Sequence, residues 1–165
     1  MEIVKWPSEI LMKKSSEVDD AKSVLSVIDK MKSLMRDNSG IGLAAPQVGI
    51  SKRFFILDEV ALSEVDKREK TGDIIVMINP ELIDGLGEIV VEEGCLSIPG
   101  ETFNVQRASW ILVRFTDENG DHHEKGFSGL TAIAIQHEHD HLDGRVLVER
   151  ASLERRNEIR ERLTA

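Results

Sequence analysis

Three histidines and two carboxylates fill positions 137 to 141 of the chain, inside the run QHEHDHLDG. On a helix, residues four apart stand nearly one above the other, so His137 and His141 share a face and two ring nitrogens can reach a single ion. Glu138 is turned from His137 by about 100°. It stands beside such an ion without binding it, where a carboxylate can handle the proton of a bound water. His139 and Asp140 point to other faces; His139 is expected to be exposed, and Asp140 to orient a ring or cap a turn. The bland alternative is a charged, solvated helix end. Against it stand Leu130, Ile133 and Ala134, which lie on the same helix face as His137 and mark that face as partly buried. Two histidines buried without a partner would be unfavourable.

A catalytic site for a divalent ion needs three protein ligands and an open position. No histidine follows His141; Glu149, Glu154, Glu158 and Glu161 do. The single cysteine, Cys95, lies in EEGCLSIPG, after an apolar run and inside a bend bounded by Gly and Pro. Such a bend can present a thiolate and a free backbone N–H together, yet a lone cysteine is more often inert core. The residues alone leave the third ligand open. A further motif, GIGLAAPQVG at 40–49, is too rich in Gly and Pro for a regular helix. Its Gly40, Gly42 and Gly49 would let backbone approach the site closely. Ile41 and Val91 could close an apolar pocket with Leu130, Ile133 and Ala134, although a pocket wall and a core wall look alike in sequence.

The elements that must hold these groups are partly legible. Residues 6–18 have turn chemistry at Pro7-Ser8 and no long period, so an irregular stretch or short helical turn is expected. From Asp19 to about Asn38, Val24, Leu25, Val27, Ile28, Met31, Leu34 and Met35 recur at helical spacing. Asp19 or Asp20 can cap that helix, and DNSG ends it. RFFIL at 53–57 is a strand, and 58–73 reads as a charged loop without a buried face. IIVMINPELI and LGEIVVEEGCLSI read as strands separated by a turn at Asp84-Gly85. WILVRFTDENGDHHEKGF is a hairpin bending at DENGD, which leaves His122 and His123 on a surface turn. From Ser128 the period becomes helical until Gly144 stops it. A last amphipathic helix at about 152–163 turns Leu153, Ile159 and Leu163 inward. The sum is an α+β fold with an antiparallel sheet and a helix packed in or against it, in one domain over residues 1–165.

Composition narrows the partners. A net charge of −9 argues against broad binding to DNA, other nucleic acid or anionic membrane. No apolar run approaches the roughly 18 residues that span a bilayer. No secretory signal is visible, and a lone cysteine fits a reducing compartment, so a cytoplasmic location is expected. Residues 145–165 carry six Arg against four Glu, a local +2 that leaves −11 on the remainder. A solvated helix laced with Glu–Arg pairs is the common outcome of that pattern; contact with RNA is the other.

In order and separation, GIGLAAPQVG, EGCLSIPG and QHEHDHLDG resemble the three motifs of the peptide deformylase family, and the similarity extends over GFSGLTAIAIQ and residues 6–18. The resemblance implies antiparallel β-sheets packed around a central helix that carries HExxH, with N-terminal and C-terminal helices. It implies Cys95, His137 and His141 as ligands of one divalent metal ion, commonly Fe(II), with Ni, Co or Zn as substitutes. It also implies Glu138 as general acid/base, and the Gln47 amide and Leu96 N–H as oxyanion donors. The activity implied is removal of the formyl group from N-formylmethionine of new polypeptides, by attack of metal-bound hydroxide on the formyl carbon. Formyl-methionyl peptides are then the partners, and the Arg-rich C-terminal helix could meet the ribosome. Ile41, Gly42, Val91, Leu130, Ile133 and Ala134 would form the pocket for the methionine side chain. The chain departs from common family residues at Ser8, Met12, Glu17 and Thr102.

Two other readings use the same residues. A metalloendopeptidase would need a long open cleft and a third ligand downstream of His141. A structural metal module would need a closed four-ligand site.

Overall fold

The computed structural model describes residues 1–59 and 73–165. Strand β2 (Phe54–Asp58) is buried at all five positions, which requires cover on both faces. Phe55 and Leu57 belong to one core cluster, with Ala132, Ala134, Ile135 and Leu142 of the helix Gly129–Leu142. Phe54 and Ile56 belong to another, with Val24, Ile28, Met31 and Met35. Two helices therefore sandwich one sheet. Helix α1 (Leu25–Asp37) covers one side, preceded by a 3-10 turn at Ala21–Val24 that the Asp20 side chain caps through the Lys22 N–H. Helix α2 (Gly129–Leu142) covers the other.

The sheet is antiparallel, in the order β1 (Gly42–Ala44), β2, β3 (Ile74–Leu86), β6 (Trp110–Thr116), β7 (His122–Ser128). A separate two-stranded ladder joins β4 (Ile89–Cys95) and β5 (Ile98–Arg107). Its apolar face, with Ile98, Phe103 and Val105, packs on Trp6, Leu11, Leu147, Val148 and Ile159. Helix α3 (Leu153–Thr164) closes that third cluster. Helix α2 thus packs on the large sheet, whose strand β1 belongs to the motif at 40–49. Among the described residues, no helix is long and apolar enough to cross a membrane.

Three expectations are corrected. Asp84-Gly85 is not a turn: β3 runs through it to Leu86, pairing Asp84 with Leu112 and Gly85 with Ile111, and the chain reverses at residues 87–88. Residues 98–107 form a full strand that the sequence reading left unassigned. Leu153 does not face inward; it is 69% exposed, because it is the first residue of α3, where Ser152 caps the helix by accepting the Arg155 N–H. The loop expected at 58–73 lies mostly outside the described residues, but Asp58 ends β2 buried and accepts from Arg36 Nε at 3.2 Å.

Candidate active site

Cys95 ends β4, while His137 and His141 project from successive turns of α2. Cys95 Sγ lies 3.4 Å from His141 Nε2, and ligand atoms of all three residues lie within 4.8 Å of one another. Around a tetrahedral ion with bonds of about 2.1 Å to nitrogen and 2.3 Å to sulfur, donors stand roughly 3.4–3.6 Å apart. The spacing and the donor set, one thiolate and two imidazoles, fit a divalent transition-metal ion. The electrostatics agree. Burial would raise the Cys95 thiol, yet the charge of His141 and hydrogen bonds from both histidines hold it well below its ordinary value. Burial would lower His137, yet hydrogen bonds to Cys95 and Glu93, with the charges of Glu138 and Cys95, hold it well above. The surroundings demand positive charge at this point, which a divalent ion supplies better than a proton.

The ring of His137 is aimed by a residue that the sequence reading missed. Nδ1 of His137 lies 2.9 Å from Glu93 Oε1, so Nδ1–H donates to the carboxylate and the Nε2 lone pair is left free to bind an ion. Glu93 is in turn gripped bidentately by Arg107, Nε to Oε2 and Nη2 to Oε1, both at 2.8 Å. Arg107 Nη1 also donates to Asp140 Oδ2 at 2.6 Å. Although burial opposes it, the hydrogen bonds from Arg107 and His137 bring the Glu93 pKa down to about 2. Glu93→Gln is expected to lower metal affinity by about 10- to 100-fold with the fold intact. Competition with a chelator measures this, and unchanged affinity would show that Glu93 does not orient the ring. Arg107→Ala should cost about 3–5 kcal/mol in urea unfolding, because Glu93 and Asp140 lose their buried partner.

Glu138 is 4% exposed, and its Oε2 has no hydrogen-bond partner among the described residues. Its Oε1 stands 4.0 Å from His137 Nε2. Burial raises its pKa, against the opposing charges of His137 and His141. A Cβ at Gly42 would meet Glu138 Oε1 at 2.6 Å, so only glycine lets β1 pass the carboxylate. Gly49, grouped with it in the sequence, has a different reason: open space surrounds it, and its φ of +84° sets the turn after the 3-10 helix Ala45–Val48. Gln47 is 1% exposed. Its Oε1 accepts the Ala44 N–H at 2.9 Å, which turns Nε2 towards Ser97 Oγ at 3.2 Å and Cys95 Sγ at 3.5 Å. Leu96 follows Cys95 in the β4–β5 turn, and its carbonyl accepts from Lys5 Nζ at 3.0 Å.

A cavity of about 750 Å³ opens at these groups. Cys95, His137 and Glu138 line it, and so do Gln47 and Leu96. The apolar candidates Ile41, Val91, Leu130, Ile133 and Ala134, with Gly42, line it as well. All the candidate residues except His141 therefore line this space, and His141 Nε2 stands 3.4 Å from Cys95 Sγ. The downstream glutamates do not join the metal-ligand cluster. His139 is not exposed as expected: its side chain is 14% exposed, 3.6 Å from Asp143, with Arg53 near it and a hydrogen bond to the backbone of Pro80. His122 and His123 lie on the exposed β6–β7 hairpin, His123 paired with Asp117 at 2.7 Å.

A family profile described as Polypeptide deformylase matches residues 1–157. The peptide deformylase of Thermodesulfovibrio yellowstonii is 44% identical over 153 residues, covering 92% of this chain and 89% of that one. That of Tolumonas auensis is 40% identical, covering 99% and 93%. Among solved structures, a peptide deformylase from Legionella pneumophila superposes with a TM-score of 0.87 at 36% identity, over 99% of this chain and 92% of that one. The Ehrlichia chaffeensis enzyme in complex with actinonin superposes at 0.88 with 33% identity, over 99% and 95%.

Proposed function

Because the chain belongs to the polypeptide deformylase family, we propose that Cys95, His137 and His141 hold its divalent metal ion and that Glu138 moves the protons of the reaction. The protein is a metal-dependent hydrolase that removes the N-formyl group from N-formylmethionine at the start of newly made polypeptides. One observation carries the residue assignment: three ligand atoms within 4.8 Å of one another, beside a buried carboxylate at the wall of a deep cavity.

An ion at that point would supply Lewis acidity, making water acidic enough to act near neutral pH. Glu138 takes the proton of the attacking water and returns it to the departing amine; burial raises its pKa and makes it the stronger base for the first of these transfers. Gln47 Nε2 and the Leu96 N–H donate to the formyl oxygen as negative charge grows there. The Gln47 amide cannot swing freely, because its oxygen is tied to Ala44. Ile41, Val91, Leu130, Ile133 and Ala134 receive the methionine side chain over the backbone of Gly42, and Glu93 and Arg107 hold the His137 ring. Formate release from formyl-Met-Ala-Ser, with no cleavage of an internal peptide, tests this reading; the reverse pattern would favour a metalloendopeptidase.

The ion is proposed to be Fe(II), with Ni, Co or Zn able to substitute; thiolate and imidazole accept all of them, and the iron preference rests on family resemblance. Protein purified without oxygen should contain iron and lose activity in air, through oxidation of iron or of Cys95, faster than a nickel-loaded sample. Equal decay of both forms would count against iron. A cytoplasmic location is supported by the lone cysteine and by the substrate.

A ribosome contact through α3 is also proposed, in narrower form. Arg155 and Arg162 are bonded to β5, Arg156 to the Ala151 carbonyl, and Arg160 lies over the Trp6 ring, so the exposed strip of Leu153, Glu154, Asn157, Glu158, Arg160, Glu161 and Arg162 carries more acid than base. A positive tail does not describe that strip, and the contact would rest on Leu153 and its neighbours. Co-sedimentation with ribosomes should fall several-fold in Leu153→Glu; equal recovery removes the contact.

A further inference from the structure

The outer wall of the cavity is a piece of β5 that its own hairpin does not hold. The ladder pairs Gly94 with Thr102 and then Cys95 with Ile98, so residues 99–101 oppose nothing on β4. Gly100 sits there at φ +81°. Pro99, Gly100, Glu101 and Thr102 all line the cavity. An excursion without ladder partners keeps its place only if something outside the hairpin ties it.

The ties come from α3. Arg162 Nη2 donates to the Pro99 carbonyl at 2.8 Å and to Glu101 Oε1 at 3.3 Å. Arg155 Nη2 donates to Glu101 Oε2 at 3.0 Å and to the Thr102 carbonyl at 2.8 Å. The Arg155 guanidinium lies over the Phe103 ring, 4.6 Å from its centroid, which fixes its approach. Seven residues apart, the two arginines leave the same side of the helix about two turns apart. One exposed ion pair contributes little, but here two guanidiniums share one carboxylate and two backbone carbonyls of the same short segment.

We propose that Arg155 and Arg162 are positioning residues that hold the 99–101 wall for the part of the substrate beyond the formyl-methionyl end. The inference rests on the deformylase reading. The walls proposed for the methionine side chain come from Ile41, β1, β4 and α2. Pro99 and Gly100 are exposed at the rim of the cavity, where a peptide leaving the site must pass. Loosening the rim therefore weakens binding of longer peptides and leaves the chemistry at Glu138 intact.

The test compares formyl-Met-Ala with formyl-Met-Ala-Ser on the metal-loaded full chain. Arg155→Ala/Arg162→Ala should raise KM for the tripeptide by about fivefold and for the dipeptide by less than about twofold, with kcat within about twofold. Glu154→Ala, on the outward side of the same helix, should change neither. Glu101→Gln keeps the wall folded if the double variant does not fold, and should raise the tripeptide KM by about two- to threefold. Combining Glu101→Arg with Arg155→Glu and Arg162→Glu should recover part of the loss, which a merely structural role would not do. Unchanged tripeptide KM in folded, metal-loaded variants overturns the proposal, as does an equal change for both substrates. No formate from either substrate with the unaltered protein overturns the deformylase reading first, and the proposal with it.

Discussion

Cys95→Ala is expected to yield a folded protein that binds almost no metal and releases formate at least on the order of a thousandfold more slowly. The side chain is small and only partly buried, so its loss leaves little void, about 1 kcal/mol or less of stability. The loss to the site is larger. Two imidazoles remain, too few to hold a catalytic ion tightly, and water does not replace the charge of a thiolate. The charge balance shifts as well. His137 is held well above its usual range partly by Cys95, so removing the sulfur weakens the demand for a cation at that point. Cys95→Asp should retain some zinc through its carboxylate, with an altered metal preference. The decisive measurement is metal content and formate release on one folded Cys95→Ala preparation. Wild-type values for both would take Cys95 out of the site.

Glu138→Gln is expected to separate metal from turnover. The two side chains have nearly the same shape, so the close approach of Gly42 to Oε1 is kept. Metal content should stay at the wild-type level, because the ligand cluster contains Cys95, His137 and His141 without Glu138. Turnover should fall by about 10²- to 10⁴-fold, the range for loss of a positioned proton carrier. KM should change little, since the carboxylate does not touch the parts of the substrate that confer affinity. Metal content falling in step with activity would make Glu138 a ligand.

The sequence made the chemistry more legible than the scaffold around it. HExxH depends on a local period, and a helix converts that period into a shared face whatever surrounds it. Helix α1 was readable for the same reason, with Ile28, Met31 and Met35 buried at helical spacing. Strand β5 was not readable because its inward positions are Phe103, Val105 and Arg107. A buried arginine breaks the apolar alternation that identifies a strand. It is tolerated only because Glu93 and Asp140, 14 and 33 residues away, supply its partners, and no local window contains them. Glu93 was passed over likewise, as one of two adjacent acids in EEGC. His139 differs from the expectation because Arg53 and Pro80, far from it along the chain, stand beside it. The proposed ligands His137 and His141 and the proposed proton carrier follow from residue type and spacing; Cys95 follows from the family resemblance, and the groups that aim them are set by tertiary partners.

Trp6 and Leu11 share a core cluster with Val148 and Ile159, and the Arg160 guanidinium sits 4.8 Å from the centroid of the Trp6 ring. A contact between positions so distant along the chain closes late in folding, since the entropy of loop closure must be met before the contact contributes. A growing chain cannot complete this cluster until residues near 159 have emerged. The segment around Trp6 must therefore wait with an apolar face uncovered through most of its own synthesis. For an enzyme whose substrates are themselves unfinished chains, the segment around Trp6 is among the last of its own parts to be folded.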